Sequence, residues 1–569
     1  MKRKNTIWWI VLVLGLVVIN ILATLFHQRI DLTEENRYSL SRPTKNLLRN
    51  LDEPVRIDVF MEGDFPAGFR KLANSVEEFL QECKEYGKGN IEVNFIDPLK
   101  GLDDSAASYV IDSINYFYDI PAFTLQAPGK VGDEQTVKLV LPGAVVHYRD
   151  TSVGVNLLKG ERAFGTEPEQ LAALYNNMEA TMEYKFASAV QKITRSAKPT
   201  VGYALGNGEG WGYNVDDAVR TLIREYNFDT VNIAEAPFIP SYDALVVMKP
   251  TIPFTDAEKI KIDQYVMHGG KVFWMIDNMY AEFDSLYKSQ GFIAFDRGLN
   301  LEDLLFKYGV RLNQNLLQDM QSDKLPQISQ SSEQQRLVDW PFFPILNGTQ
   351  HPVSKNLNGV RAMFPTSIDT VEAEGITKTF LLESSANARL MEAPARIDFE
   401  FLQIAPDIKT FQKKNVPVAV LLEGKFNSLY TGRIPRALAD SMKGYGYHFL
   451  SENTSDNKMI VVADGDLAVN QVSQSDGPLP MGVNFFTGYS YANKDFFLNA
   501  LEHLVNPTDI LQARSKEFTL RLLDPKKTME EKRKWQIINI VLPILLVVAF
   551  GFIYQQYRRY RFGLVKSGS

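Results

Sequence analysis

The sequence predicts an α/β protein anchored in a membrane by a helix at each end. Three observations carry this expectation. A charge-free apolar run stands near either terminus. Strand and helix patterns alternate from Val55 and again from Lys198. A glycine-rich loop, Gly206-Asn-Gly-Glu-Gly-Trp-Gly212, lies between a strand and a helix.

The first run, Ile7–Phe26 (IWWIVLVLGLVVINILATLF), matches the roughly 20 residues that a helix needs to cross a hydrocarbon core. It is longer than the apolar region of a signal peptide, and Leu25-Phe26-His27-Gln28 is not a small-residue cleavage site, so it reads as an uncleaved anchor over 1–28. The second run is Ile537–Tyr554 (IINIVLPILLVVAFGFIY). Lys2, Arg3 and Lys4 precede the first; Arg558, Arg559, Arg561 and Lys566 follow the second. Basic flanks face the cytoplasm. Both termini are therefore expected there, with the large central region periplasmic to a bacterial inner membrane. Lys532, Arg533 and Lys534 run against this, standing before the second span on the predicted outer side. Two helices are too few to enclose a transport pathway. Asn20, Asn539 and Pro543 mark span faces for another membrane protein, because an intramembrane amide seeks a hydrogen-bond partner.

At 569 residues the chain exceeds a single core. Its net charge of −7, with no basic cluster away from the ends, argues against nucleic acid as a partner. The one cysteine, Cys83, falls on the apolar face of a helical pattern over Phe69–Tyr86 and reads as a small buried hydrophobe.

Within the body, Ser41 and Pro43 open a helix. Val55–Met61, the Phe69–Tyr86 helix and Ile91–Ile96 form a strand–helix–strand unit, so these strands should be parallel. The arrangement over 29–197 reads as thioredoxin-like, without the Cys-x-x-Cys pair of redox chemistry. Strand-rich sequence is expected on to about Asp150, and a helix over Glu167–Thr194. A doubly wound domain over 198–515 follows. Its strands are Val201–Leu205, Ala244–Met248 and Val272–Ile276; its helices are Asp216–Tyr226 and one opened by the capping box Thr255-Asp-Ala-Glu258 and closed at Gly269-Gly270. Met459–Ala463 and the helix Lys494–Leu504 return to it after an insertion at about 280–450, which has its own strands, including Val418–Glu423. Residues 516–536 read as a linker, 537–554 as the second span and 555–569 as a basic tail.

The glycine loop fails the nucleotide test. A dinucleotide fingerprint from Gly206 needs glycine where Trp211 stands, and from Gly208 where Tyr213 stands; no P-loop occurs. Glu209, Asp216 and Asp217 already crowd the helix start that a phosphate would occupy. The loop therefore reads first as a tight turn. Asp277 and Asp464 end strands at the edge where open α/β sheets bind ligands, and with Glu209 they could form an acidic cluster. Aspartates in such places also cap helices and bond loops. The candidate ligand or partner crevice is Asn207, Glu209, Asp277 and Asp464. No catalytic residue, metal or cofactor is expected.

Several segments together resemble one family. They are Arg29–Leu40 (RIDLTEENRYSL), Arg56–Asp64 (RIDVFMEGD), Val418–Phe426 (VAVLLEGKF), Val462–Leu467 (VADGDL), Asn493–Leu498 (NKDFFL), Lys516–Leu523 (KEFTLRLL) and Trp535–Pro543 (WQIINIVLP). The family is that of GldG, the gliding-motility-associated ABC transporter auxiliary proteins. The resemblance implies a non-enzymatic, substrate-binding-like subunit working with an ABC permease and a separate ATPase, in bacteria that include gliding species. It also implies a glutamine-amidotransferase-like middle domain lacking its nucleophile. Two alternatives stay open on the residues: a membrane-tethered hydrolase using Glu209, Asp277 and Asp464, and an envelope glycan- or peptide-binding module using Trp211 and Tyr213.

Overall fold

In a computed structural model the described residues are 39–563, without 66, 127–136, 159–167, 196, 290, 328–335, 400–405, 435–441, 445–446, 476, 507–509, 511–512 and 514–524, together with Leu14 and Gly15. The expected first span lies outside them except for those two helical residues, and Asn20 lies outside them too. The chain divides into two units, Met1–Glu517 and Phe518–Ser569.

The first unit opens with α1 (Arg42–Arg49). Ser41 caps it, its hydroxyl accepting from the Thr44 N–H, and proline sits in the first turn where no intrahelical donor is lost. Next come β1 (Val55–Val59), α2 (Ala67–Tyr86) and β2 (Ile91–Phe95), and β1 and β2 are parallel with Val55 opposite Ile91. One expectation fails here. The region read as strand-rich holds a helix, α3 (Asp104–Tyr118), started by Asp103, whose carboxylate accepts from the Ala106 N–H at 2.8 Å. Ile114 is its one fully buried side chain, with Val110 and Tyr118 one turn to either side partly buried against the same small core, so its apolar stripe is thin. Then β3 (Gly143–Tyr148) and β4 (Thr151–Asn156) complete a four-stranded sheet in the order β2-β1-β3-β4. The long helix α4 (Pro168–Thr194) buries Met178, Met182, Phe186 and Val190 in the core that also holds Phe69, Val76, Leu80 and Cys83.

A second core surrounds a ten-stranded sheet. Its parallel half contains β5 (Thr200–Leu205), β6 (Asn227–Asn232), β7 (Ala244–Met248), β8 (Val272–Met275) and, much later in the chain, β12 (Asn457–Val462). Across the sheet they lie in the order β6-β5-β7-β8-β12, all parallel. The central strands ALVVM and VFWM are buried throughout, as strands covered on both faces must be. By contrast β6, NFDTVN, is a largely exposed polar edge strand; its sequence carries no apolar run, which is why pattern reading passes over it. Helices α5 (Asp216–Glu225) and α6 (Asp256–Met267) cross between strands, α6 with both halves of its capping box made: the Thr255 N–H donates to Glu258 at 2.7 Å and the Glu258 N–H to Thr255 at 3.3 Å.

The strands between β8 and β12 do not all stand apart from this sheet. Three of them, β9 (Arg336–Gly348), β10 (Ile376–Glu383) and β11 (Pro417–Gly424), extend it antiparallel beyond β12, with Ala419 opposite Val462. Helix α7 (Asn493–Val505) packs Phe496, Phe497 and Leu501 into the same core. It also meets α4: the Tyr184 hydroxyl donates to Asn499 at 3.1 Å, and Arg195 pairs with Glu502.

Among the described residues the second unit holds one helix, α8 (Pro525–Gly563), with Pro543 inside it. Within it Lys534–Tyr560 is long and apolar enough to cross a membrane, and Asn539 and the apolar side chains from Ile540 to Tyr554 are exposed.

Candidate functional site

Three features gather at the carboxyl edge of the parallel strands. The first is the glycine loop, between the ends of β5 and β7. The chain leaves β5 toward β6 and returns past it to β7, so neighbouring connections diverge here. That reversal opens a crevice in doubly wound sheets. Gly206, Gly208 and Gly212 have φ of 116°, 79° and 106°, which lets the loop fold back on itself. The Asn207 carbonyl accepts from the Thr251 and Ile252 N–H groups at 2.8 and 2.9 Å, stitching the loop to the segment after β7. Glu209 turns inward and accepts from the Asn207 N–H at 2.8 Å; the Asn207 amide donates to Glu258 at 3.1 Å. Asn207 is 1% exposed, and Glu209 and Glu258 are 8% exposed. Burial pushes Glu209 up to about 7; backbone N–H groups pull the other way and the charge of Glu258 adds to the rise. Trp211 and Tyr213, on the outside of the loop, are exposed.

The second feature is a buried charge cluster. Lys249 follows β7, Asp277 follows β8, and Asp464 follows β12 by two residues. Asp277, Asp464 and Asp466 bring carboxylate oxygens within 4.8 Å of one another. A metal ion could be held by such a set, but Lys249 already stands among them: its ammonium lies 2.5 Å from Asp466, 3.0 Å from Glu282 and 3.3 Å from Asp277. Arg297 adds a second cation, 2.6 Å from Glu282 and 3.8 Å from Asp277. Much of the remaining acceptor capacity goes to backbone. Asp464 accepts from the Met363 and Asp466 N–H groups, and Asp277 from the Gly465 N–H. Burial drives Asp464 well above the carboxylate range, helped by Asp277 and Asp466, and raises Asp466 to about 7. Burial alone would discharge Lys249, yet Asp466, Asp277 and Glu282 outweigh it and hold the ammonium firmly protonated. Gly465 is required: a Cβ there would stand 2.9 Å from the Lys249 chain and 3.0 Å from the Asp277 carboxyl. The arrangement clamps three strand ends together.

The third feature is a cleft of about 890 Å³, lined by Ile276 and Asn278 after β8 and by residues of the region between β8 and β12, with Arg311, Lys413, Asp369 and Glu392 at its walls.

Of the sequence-derived candidates, then, Asp277 and Asp464 meet, and Asn207 and Glu209 meet, but in two separate places; the second acid beside Glu209 is Glu258. Sequence patterns did not point to Lys249, Glu282, Arg297 or Asp466 as members of the cluster. The doublet Asp464-Gly465-Asp466 was the available signal, since two acids flanking a glycine directly after a buried strand must share one strand end.

A family model described as an ABC-type uncharacterized transport system (ABC_transp_aux) matches residues 198–500, more than half of the 569-residue chain. The chain belongs to this family. The matched span contains all three features, so the glycine loop and the charge clamp are parts of the ABC-type transport domain itself. Membership associates the chain with an ABC transport system as an auxiliary component. A domain of unknown function (DUF7088) matches 34–147, which includes β1, α2, β2 and α3. Among curated proteins no match is found. One solved structure, titled "mmIFT52 N-terminal domain", aligns over 54% of this chain and 97% of its own length at 12% identity with a TM-score of 0.30, a likeness too slight to bear on fold or function.

Proposed function

We propose that this protein is a non-enzymatic, membrane-anchored auxiliary subunit that works with a separate ATPase and an ABC permease, its body on the periplasmic side of a bacterial inner membrane and both termini in the cytoplasm. The observation that carries the reading is the family match over 198–500 in a chain that also has a 27-residue helix fit to cross a membrane. The charge clamp supports the non-enzymatic part, because its carboxylates are engaged with Lys249, Arg297 and backbone N–H groups rather than facing a substrate. Gliding motility is the process we propose for such a complex, and the segments that resemble the gliding-associated family support that reading.

Affinity purification of the full chain in mild detergent tests the reading. A multi-span permease and an ATPase should come with it, and replacing residues 534–560 by an unrelated apolar helix should weaken their recovery. Purification without either partner, at a detergent strength that preserves other ABC complexes, would sink the proposal. Labelling of single cysteines placed in the body checks the topology: an impermeant reagent added outside the inner membrane should reach them. In a gliding host, deletion of the gene should stop surface spreading.

A second reading, an envelope glycan-binding module, is favoured by one observation: Trp211 is 60% and Tyr213 73% exposed on the loop, as a stacking platform requires. Soluble cell-wall glycan fragments should then quench tryptophan emission in the wild type but not in Trp211→Ala; equal response of the two proteins removes it.

A further inference from the structure

The glycine loop and the charge clamp contain similar acids in opposite circumstances. At the clamp, Lys249 and Arg297 compensate the carboxylates. At the loop, Glu209 and Glu258 are each 8% exposed, and neither forms an ion pair with a lysine or arginine among the described residues. The nearby Lys261 feels the charge of Glu258, but its ammonium bonds the Ile233 and Ala234 carbonyls, at 2.7 and 3.2 Å, and not either acid. Buried carboxylates without a directly paired counter-charge are costly. Two atoms make the gap specific: Asn207 Oδ1 and Glu209 Oε1 are buried and have no hydrogen-bond partner, whereas Asp277 Oδ2 of the clamp, which also has none, faces the Lys249 ammonium at 3.3 Å. Such orphaned acceptors are rare in folded proteins and need an explanation.

The surroundings hold those acceptors in place. Glu258 Oε2 accepts from the Thr255 N–H and from Asn207 Nδ2. Because that oxygen already accepts from the Thr255 N–H, the Asn207 amide presents its nitrogen to Glu258 and directs its oxygen elsewhere. Glu209 Oε2 is likewise fixed by the Asn207 N–H, which leaves Oε1 over. The outcome is an all-oxygen pair, Asn207 Oδ1 and Glu209 Oε1, that is acceptor-only once Glu209 has released its proton, beside one further buried acid, Glu258, at the crevice between diverging strand connections.

We propose that this crevice binds a hard divalent cation, Mg²⁺ or Ca²⁺, through Asn207 Oδ1 and Glu209 Oε1, with Glu258 orienting the amide and contributing charge. Hard cations prefer carboxylate and amide oxygens, and groups that orient a ligand matter nearly as much as the ligand itself. The clamp is not the site, because Lys249 already supplies its cation.

Titration calorimetry on the full chain in detergent, with MgCl₂ and CaCl₂ as probes, decides the matter. The wild type should bind one equivalent of at least one of them. Glu209→Gln and Asn207→Ala should each weaken binding by about tenfold or more, with unchanged far-ultraviolet circular dichroism. Asp466→Asn, at the clamp, should leave binding intact. If Asn207→Ala does not fold, Glu209→Gln alone is sufficient, since it keeps the side chain's size. No saturable binding at several millimolar, roughly the weak end for extracellular sites, overturns the proposal. So does binding that survives Glu209→Gln or disappears in Asp466→Asn. These results are independent of whether a permease co-purifies, so this inference and the proposed function can fail separately.

Discussion

Lys249 Nζ lies 3.3 Å from Asp277 Oδ2, and that contact ties together the ends of two adjacent parallel strands. The ammonium holds Glu282 and Asp466 as well, so one side chain is the counter-charge for three acids. Replacing Lys249 by Met keeps its bulk and removes its charge. Breaking a buried ion pair from one side costs about 3–5 kcal/mol, and the variant should lose stability on that scale in urea unfolding at pH 7.5. The loss should shrink at pH 5, where the abandoned carboxylates can take up protons. An equal loss at both values would mean that packing, not charge, is what Lys249 contributes.

Asp466 makes a separate prediction about pH. Its folded carboxyl keeps a proton up to about 7, whereas an unfolded aspartate releases it near 3.8. Between those values the unfolded chain binds fewer protons than the folded one, so stability falls as pH rises and levels off above about 7. Asp466→Asn cannot titrate and should flatten this part of the profile. Thermal unfolding of both proteins from pH 4.5 to 8 measures it; parallel curves would refute the assignment.

Two glycines of the loop should respond differently to alanine. Gly208 and Gly212 both have positive φ, but a Cβ at Gly208 would collide with the Thr251 hydroxyl, whereas nothing lies within 4 Å of one at Gly212. Gly212→Ala should cost backbone strain alone, about 1 kcal/mol. Gly208→Ala should cost clearly more and disturb the Thr251 and Ile252 bonds to Asn207. Hydrogen exchange at those two amides would reveal the difference, and equal behaviour of the variants would contradict the packing described.

The joint between α4 and α7 is a fourth point of test. Arg195 pairs with Glu502, while Lys192 pairs with Glu225 at 2.6 Å. Arg195→Ala leaves the largely buried Glu502 with the Asn506 amide at 2.9 Å but without its ion-pair partner, and should lower stability by roughly 1–3 kcal/mol. A double-mutant cycle with Glu502→Gln should recover a coupling of at least about 0.5 kcal/mol. Additive single effects would show that the pair contributes nothing to holding the two cores together.

Much of this architecture could be read from residue order alone. Local chemistry reports itself in a sequence: Ser41 and Thr255 cap helices because their hydroxyls reach N–H groups only three residues away, and ALVVM and VFWM announce covered strands because both faces must be apolar. The α/β class, the parallel pairing of β1 with β2 and the strong C-terminal helix followed from such short-range rules. The polar edge strand β6 and the sparsely buried α3 did not, since β6 carries no apolar run and the stripe of α3 is only Val110, Ile114 and Tyr118. Which acids share a neighbour was settled by folding. Asp277 and Asp464 are far apart in the chain, yet parallel pairing in register sets β8 beside β12 and brings Lys249 in from β7. Glu209 fell to Asn207 and Glu258 instead, because the reversal between β5 and β7 carries its loop to a different part of the edge. Charges act over a few ångströms of space, and only the packed chain converts separation in sequence into that distance.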